Sequence, residues 1–232
     1  MQTNISKRLN AAASFVREGS YIADIGTDHA YLPIYLAKTG KIRGGVASDI
    51  NEGPYLCAKK NIAAEGLSRI LTAYHTAGLD GIEVFDPTDI MICGMGGELI
   101  AKIISDAPWV KNESIRLVLQ PMTHPEILRK FLLDEGFDIK DERIIHEDKL
   151  YVVLCAEYVG KSESCTYTEA ELLLGKKNIE KASNELFMLI DWQISVQQRI
   201  ADAKLLGGAG ATEEQRIIKL LEDVKNDCKR AL

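Results

Sequence analysis

Between Tyr21 and Pro33 the sequence YIADIGTDHAYLP changes character twice. Tyr21, Ile22, Ala23 and Ile25 are apolar or β-prone, and Gly26, Thr27, Asp28 and His29 are polar. Tyr31, Leu32, Tyr35 and Leu36 then recur at helical spacing and offer one apolar side. That order predicts a buried strand, a tight loop and a helix. Gly26 allows positive φ, or an approach to the backbone that a Cβ would block. In open α/β sheets ligands bind beyond the carboxyl ends of the strands, so this loop lies where a ligand would.

The loop has one glycine, where a dinucleotide-binding turn needs three so that pyrophosphate can rest on a helix N-terminus. Asp24 and Asp28 flank it instead. Two carboxylates disfavour pyrophosphate and suit a ligand carrying an ammonium, a sulfonium and ribose hydroxyls. S-adenosylmethionine is such a ligand. The competing reading is that both acids only cap the turn and the following helix.

The same alternation continues downstream. Ser6 to Val16 has the spacing of an opening helix, and Gly44 to Ile50 reads as a second buried strand ending in Asp49. An acidic residue at the end of that strand grips ribose hydroxyls in nucleotide-binding α/β folds, although Asp49 or Asn51 also suits a helix cap. A helix from Pro54 to Glu65 stops at Gly66, and Ile70 to His75 is a third strand. The loop Ala77, Gly78, Leu79 and Asp80 follows, where a nucleoside's base would lie. Asp89 to Cys93 is nearly all apolar, as a parallel strand buried on both faces is. It breaks into Gly94, Met95, Gly96, Gly97 and Glu98, and the bare backbone would let a flat base or a reactive methyl pass close. A helix from Leu99 to Asp106, a strand from Ile115 to Gln120 and a helix from Pro125 to Glu135 come next. Phe137 to His146 and Lys149 to Val159 alternate as an antiparallel pair. The whole is a doubly wound α/β sheet, mostly parallel, closed by a hairpin near Gly160.

From Glu169 to Ala203 the pattern is helical, with Leu172, Ile179, Leu186 and Ile200 on one row and Ala182, Leu189, Val196 and Ala203 on another. Gly207, Gly208 and Gly210 interrupt it, and Thr212 with Gln215 has the form of a capping box for a last helix carrying Ile217, Leu221, Val224 and Cys228. An antiparallel helical hairpin, a small coiled coil, is expected. The domains expected are 1–160 for the sheet and 161–232 for the hairpin. The hairpin suits either stability and dimerisation or the gripping of an RNA backbone.

Composition narrows the setting. Hydrophobic residues at 46% and charged residues at 27% are those of a soluble globular protein. No apolar run reaches a membrane span. Cys57, Cys93, Cys155, Cys165 and Cys228 are scattered, so reduced thiols in a cytoplasm are expected, with neither a metal site nor a disulfide framework. A formal net charge of −6 gives no general support for nucleic-acid binding, but basic residues cluster locally at Lys7 and Arg8, at Lys59 and Lys60, and at Lys176 and Lys177.

DIGTDHAYLP, SDIN, AGLD, ICGMGGE and LQPM, in this order and spacing, resemble the bacterial tRNA (adenine-22-N1)-methyltransferase family from about Ser6 to Val159. The resemblance implies a Rossmann-like class I methyltransferase fold, S-adenosylmethionine as methyl donor without a metal, and tRNA as partner, with the coiled coil helping to hold it. It places Asp24, Gly26, Thr27, Asp28 and His29 on the methionine side of the cofactor, and Asp49 and Ile50 at its ribose. Ala77, Gly78 and Leu79 fall by its adenine, and Cys93 and Gly94 beside it. Gly94, Met95, Gly96 and Gly97 face the reacting methyl. Adenine N1 needs no general base, so an acceptor beside the exocyclic amine is the expected aid, from Asp28, the glycine loop or Gln120. His29 is a candidate positioning donor, His75 and His146 have no assigned role, and His124 is ambiguous. Nothing fixes the oligomeric state; a monomer is the working expectation. A methyltransferase of the same fold acting on a small molecule, and a non-enzymatic nucleoside-binding or assembly protein, remain alternatives.

Overall fold

The structure, a computed structural model, describes residues 5–160 and 167–231. It divides into two compact units, Met1–Thr166 and Tyr167–Leu232. The expected junction after Gly160 runs into residues 161–166, which with Cys165 lie outside the described residues.

The first unit is built on a seven-stranded sheet of order β3-β2-β1-β4-β5-β7-β6. Its strands are β1 (Ser20–Ile25), β2 (Ile42–Asp49), β3 (Leu71–His75), β4 (Asp89–Met95), β5 (Arg116–Pro121), β6 (Phe137–His146) and β7 (Leu150–Tyr158). The first five are parallel and β7 is antiparallel to both neighbours. The apolar β4 is buried as expected, with Ile90, Met91 and Ile92 fully inaccessible. The strand order reverses between β1 and β4. Right-handed crossovers then send the earlier helices to one face and the later ones to the other, leaving a crevice at that switch point.

Helices α1 (Lys7–Phe15), α2 (Tyr31–Lys38) and α3 (Glu52–Ala64) pack with Ile22, Ala47, Met91, Val118 and Val153 in one core. The remaining helices of the unit are α4 (Gly97–Ser105) and α5 (Pro125–Asp134). α1 opens at Ser6, whose hydroxyl accepts from the Leu9 N–H at 3.4 Å. Its far end is pinned where Arg17 donates from its backbone N and from Nε to Asp89, both at 2.8 Å. In α2 the buried side is Leu32, Pro33, Ile34 and Leu36, while Tyr31 is exposed. The expected apolar row through Tyr31 is therefore corrected. Ala30, left-handed at φ 55°, precedes the helix and sets its phase.

The second unit is helical: α6 (Glu169–Leu174), α7 (Lys176–Lys181), α8 (Asn184–Leu206) and α9 (Thr212–Ala231). The single helix expected from Glu169 to Ala203 is broken twice. Gly175 has φ 89° and Ala182 φ 46°, and Ser183 restarts the helix by accepting the Leu186 N–H. The break shifts the seam: Leu186, Leu189, Ile190 and Ala201 are buried, whereas Ile200 and Ala203 face outward. A capping box does form, at Thr168 and Glu171. Thr212 already belongs to α9, so the box expected at Thr212 and Gln215 does not open it, and the Gln215 N–H bonds the Ala211 carbonyl. On α9, Leu221 and Cys228 are buried with Glu214, which pairs with Lys204 at 2.5 Å.

Candidate active site

A cavity of about 840 Å³ opens at the carboxyl ends of β1, β2 and β4. Gly26, Asp49, Ile50, Ala77, Gly78, Leu79 and Met95 all line it. Its volume is that of a small-molecule site. The wall that sequence reading missed comes from α4 and the segment behind it, with Leu99, Lys102, Ile103 and Trp109, together with Thr76 and Glu83; Asp80 of the expected loop lines it too. Leu99, Lys102 and Ile103 lie on a helix whose sequence reports only its own amphipathicity, so no local signal marks them.

The β1–α2 loop is held by its backbone. Gly26 N and Thr27 N both donate to the Ser48 carbonyl at 2.8 Å, and Ala30 N donates to Thr27 Oγ1 at 3.2 Å. Gly26 has φ 75°, and a Cβ there would lie 2.0 Å from Met95 Cε. The bare loop thus lets the β4 side chain approach across the crevice.

Asp49 is buried beside the cavity. Its Oδ1 accepts from Asn51 N at 2.7 Å and Asn51 Nδ2 at 3.2 Å. Asn51 is the residue before α3, without a side-chain cap. Among the described residues Oδ2 makes no hydrogen bond and remains available to a ligand.

Asp24 is buried with the Thr27 hydroxyl as its hydrogen-bond partner. Desolvation pushes its carboxyl up to about 6, offset in part by that hydrogen bond. Neither Asp24 nor Asp28 caps α2. Cys93 follows on β4, and burial, with a smaller push from the Asp24 carboxylate, raises its thiol far above the ordinary range. It is neutral at physiological pH.

Asp28 and His29 do not line the cavity, and neither do Asp24, Thr27, Cys93, Gly94, Gly96 and Gly97. Asp28 is largely exposed and pairs with His29 Nε2 at 3.1 Å, while His29 Nδ1 lies 2.9 Å from Cys57 Sγ. The His29 ring stacks on Tyr31 with centroids 5.0 Å apart. Gln120 is fully buried and engaged: its Oε1 accepts from Arg8 Nη1 at 2.8 Å, and its Nε2 donates to the Pro121 carbonyl at 2.9 Å. His75 Nε2 meets the Ile50 carbonyl at 2.9 Å behind the cavity. His124 has a left-handed backbone ahead of α5, and its hydrogen bond to Glu126 raises its pKa.

The glycine loop divides by role. Gly94 has φ 84° and open space where a Cβ would stand. Gly97 N donates to the Thr123 carbonyl at 2.8 Å, and a Cβ on Gly97 would lie 2.3 Å from the His124 carbonyl oxygen. A Cβ on Gly96 would stand 3.1 Å from Thr123 Oγ1. The end of β4 is therefore locked to the loop after β5. Gly97→Ala is expected to destabilise the chain by about 2 kcal/mol through overpacking against backbone, read as a lower denaturation midpoint; an unchanged midpoint refutes the lock.

The residues present fit S-adenosylmethionine on three counts. Among the described residues a buried carboxylate has no cationic partner, a second carboxylate keeps one oxygen free, and Gly26, which has no Cβ, lines the cavity. Comparison with known proteins agrees. The methyltransferase-domain family matches residues 5–154. The chain is similar to the tRNA (adenine(22)-N(1))-methyltransferase of Bacillus subtilis, 34% identical over 223 residues, 93% of this chain and 91% of that one. It is also similar to Streptococcus pneumoniae Sp1610 solved with S-adenosyl-L-methionine, at 32% identity and TM-score 0.84, over 96% of this chain and 100% of that one. M. capricolum TrmK, solved with S-adenosyl-homocysteine, gives 26% identity and TM-score 0.82 over 96% of this chain and 98% of that one.

Proposed function

The chain belongs to the tRNA (adenine(22)-N(1))-methyltransferase family, and from that premise we propose that it transfers a methyl group from S-adenosylmethionine to N1 of adenine 22 of tRNA. The observation that carries the reading is the single cavity in which Asp49, Gly26 and Met95 meet at the sheet's switch point.

When bound, S-adenosylmethionine supplies an electrophilic methyl on a positively charged sulfur. Asp49 Oδ2 is placed for a ribose hydroxyl, Ala77, Gly78 and Leu79 for the adenine, and Asp24 for a cationic group. N1 of the target adenine has an in-plane lone pair and is unprotonated at neutral pH, so the chain need not remove a proton before attack. Its task is alignment, for which effective molarities on the order of 10⁵–10⁸ M are available. Gly94, with open space above a positive-φ backbone, is where a flat base can approach the end of β4. Backbone carbonyls of that loop then lie near a base that gains positive charge. Gln120 serves this purpose less well, because its amide oxygen already accepts from Arg8. The target base must leave the tRNA's own stack to reach the site.

α8 of the second unit exposes Trp192, Arg199 and Ile200, an aromatic and cationic surface suited to RNA. No described helix is long and apolar enough to cross a membrane. Cys57, Cys93, Cys155 and Cys228 are free thiols, which fits action in the cytoplasm.

The test uses labelled cofactor and unmodified tRNA transcripts. Label is expected on a transcript with adenine at position 22 and absent when that base is guanine. Label on the guanine transcript refutes the assignment.

A further inference from the structure

α3 lays two side chains, one turn apart, against the β1–α2 loop. Cys57 Sγ lies 2.9 Å from His29 Nδ1, and Asn61 Nδ2 donates to the His29 carbonyl at 3.0 Å. The same Asn61 amide reaches Cys57 Sγ at 3.8 Å. Residues four apart share a helix face, so α3 presents the thiol and its amide neighbour together. At the other ring nitrogen, Nε2, Asp28 stands 3.1 Å away. Tyr31 stacks on the ring with centroids 5.0 Å apart and fixes its plane.

The imidazole therefore stands between a carboxylate and a thiol. A carboxylate only accepts, so Asp28 selects the tautomer with its proton on Nε2 and turns the Nδ1 lone pair to the sulfur. Nucleophile, base and orienting acid follow one another at hydrogen-bonding distance, the arrangement that activates a weak nucleophile. The Asp28 side chain is 74% exposed, so its attraction is screened and its contribution is the tautomer more than the charge. Because His29 bridges the other two groups, the three do not converge as metal ligands do, and among the described residues no such cluster occurs.

The other described thiols are placed differently. Burial raises those of Cys93, Cys155 and Cys228, which leaves them inert. Cys57 is half-buried, and solvent reaches its base, since the His29 side chain is 37% exposed. Neither residue lines the cofactor cavity.

We propose that Asp28, His29 and Cys57 form a nucleophilic triad at which Cys57 exchanges with low-molecular-weight disulfides. His29 Nδ1 takes the thiol proton as Sγ attacks one sulfur of the disulfide. The Sγ–S bond forms as the old S–S bond breaks, and the departing thiolate takes the proton from His29. Cys57 ends as a mixed disulfide and one free thiol is released. Free thiol reverses the step, so in a reducing compartment the modification is transient. The triad stands independently of the cofactor reading.

The test adds 2-hydroxyethyl disulfide, small and uncharged, to the full chain and follows each cysteine peptide by mass spectrometry after an acid quench. An ordinary thiol is only about a few per cent ionised at pH 7, which leaves room for roughly a tenfold gain from a base. At pH 7 Cys57 is thus expected to react at least about tenfold faster than Cys93, Cys155 and Cys228. The titratable groups against His29 are Asp28, Tyr31 and Cys57. His29→Gln should slow Cys57 about tenfold at pH 7 and match wild type near pH 10, where an ordinary thiol ionises unaided. Asp28→Asn, a change on an exposed side chain, should cost about threefold at pH 7. Wild-type rates at pH 7 in either variant overturn the triad. A loss in His29→Gln that persists near pH 10 would show altered packing instead of a lost base, and overturns it as well. Equal rates at Cys57 and the buried thiols do the same.

Discussion

Replacing Asp49 by alanine is expected to weaken S-adenosylhomocysteine binding by at least about tenfold, the value of one charge-assisted hydrogen bond to a ribose hydroxyl. The carboxylate is buried and turned to Asn51 through Oδ1, so its remaining oxygen is preorganised at the cavity wall. Removing it frees the Asn51 N–H, which costs about 1 kcal/mol of stability. A melting temperature lowered by a few degrees is the expected side effect. The ligand effect is read by calorimetry well below the melting temperature. Asp49→Asn retains shape and Oδ1 but loses charge, and should fall between the two. Wild-type affinity in Asp49→Ala would remove Asp49 from the site.

The second large effect belongs to Asp24 and depends on pH. Burial raises its carboxyl from an ordinary 3.8 to about 6 in the folded chain. Below about pH 4 it is protonated whether the chain is folded or not, and its ionisation costs nothing. Between about 4 and 6 only the unfolded chain ionises, so stability falls as pH rises. Above 6 both states are ionised and the cost levels off at roughly 3 kcal/mol. Asp24→Asn should therefore stabilise the ligand-free chain by up to roughly 3 kcal/mol at pH 8, less what the changed Thr27 hydrogen bond contributes. It should give no gain at pH 4. Denaturation midpoints across that range decide it, and a gain equal at both pH values would exclude titration of Asp24 as the cause. The same variant should bind S-adenosylhomocysteine more weakly, a stability–function trade-off at a site kept destabilised for its ligand. In the wild-type chain the ligand should bind more tightly as pH rises through about 6, as the carboxylate becomes available to an ammonium. The adjacent Cys93 thiol stays neutral throughout.

Much of this was legible in the chain itself. Apolar runs ending in Asp24 and Asp49, with glycine behind the first, are local signals, and they place charge and bare backbone at strand ends wherever the fold puts those ends. GTDH with GMGG narrowed the class further. Gly97 was legible only as a glycine. Its reason, the His124 carbonyl where a Cβ would stand, belongs to a loop far along the chain. Asp28 and His29 show the limit from the other side. Their position after Gly26 points to the site, yet neither lines the cavity: Asp28 pairs with His29, whose other ring nitrogen lies against Cys57.

The sequence by itself determined which segments of the first unit are strands and helices and which strand ends carry acid, because periodicity and turn chemistry are properties of neighbouring residues. It did not determine the seam of α8, since a single left-handed residue at Ala182 resets the helical phase. Nor did it place Arg8, which meets Gln120 across 112 residues. That meeting depends on strand order, register and the pinning of α1, which only the assembled sheet supplies. Side-chain charge is written locally, whereas the partner that a charge lacks is defined only by everything packed around it.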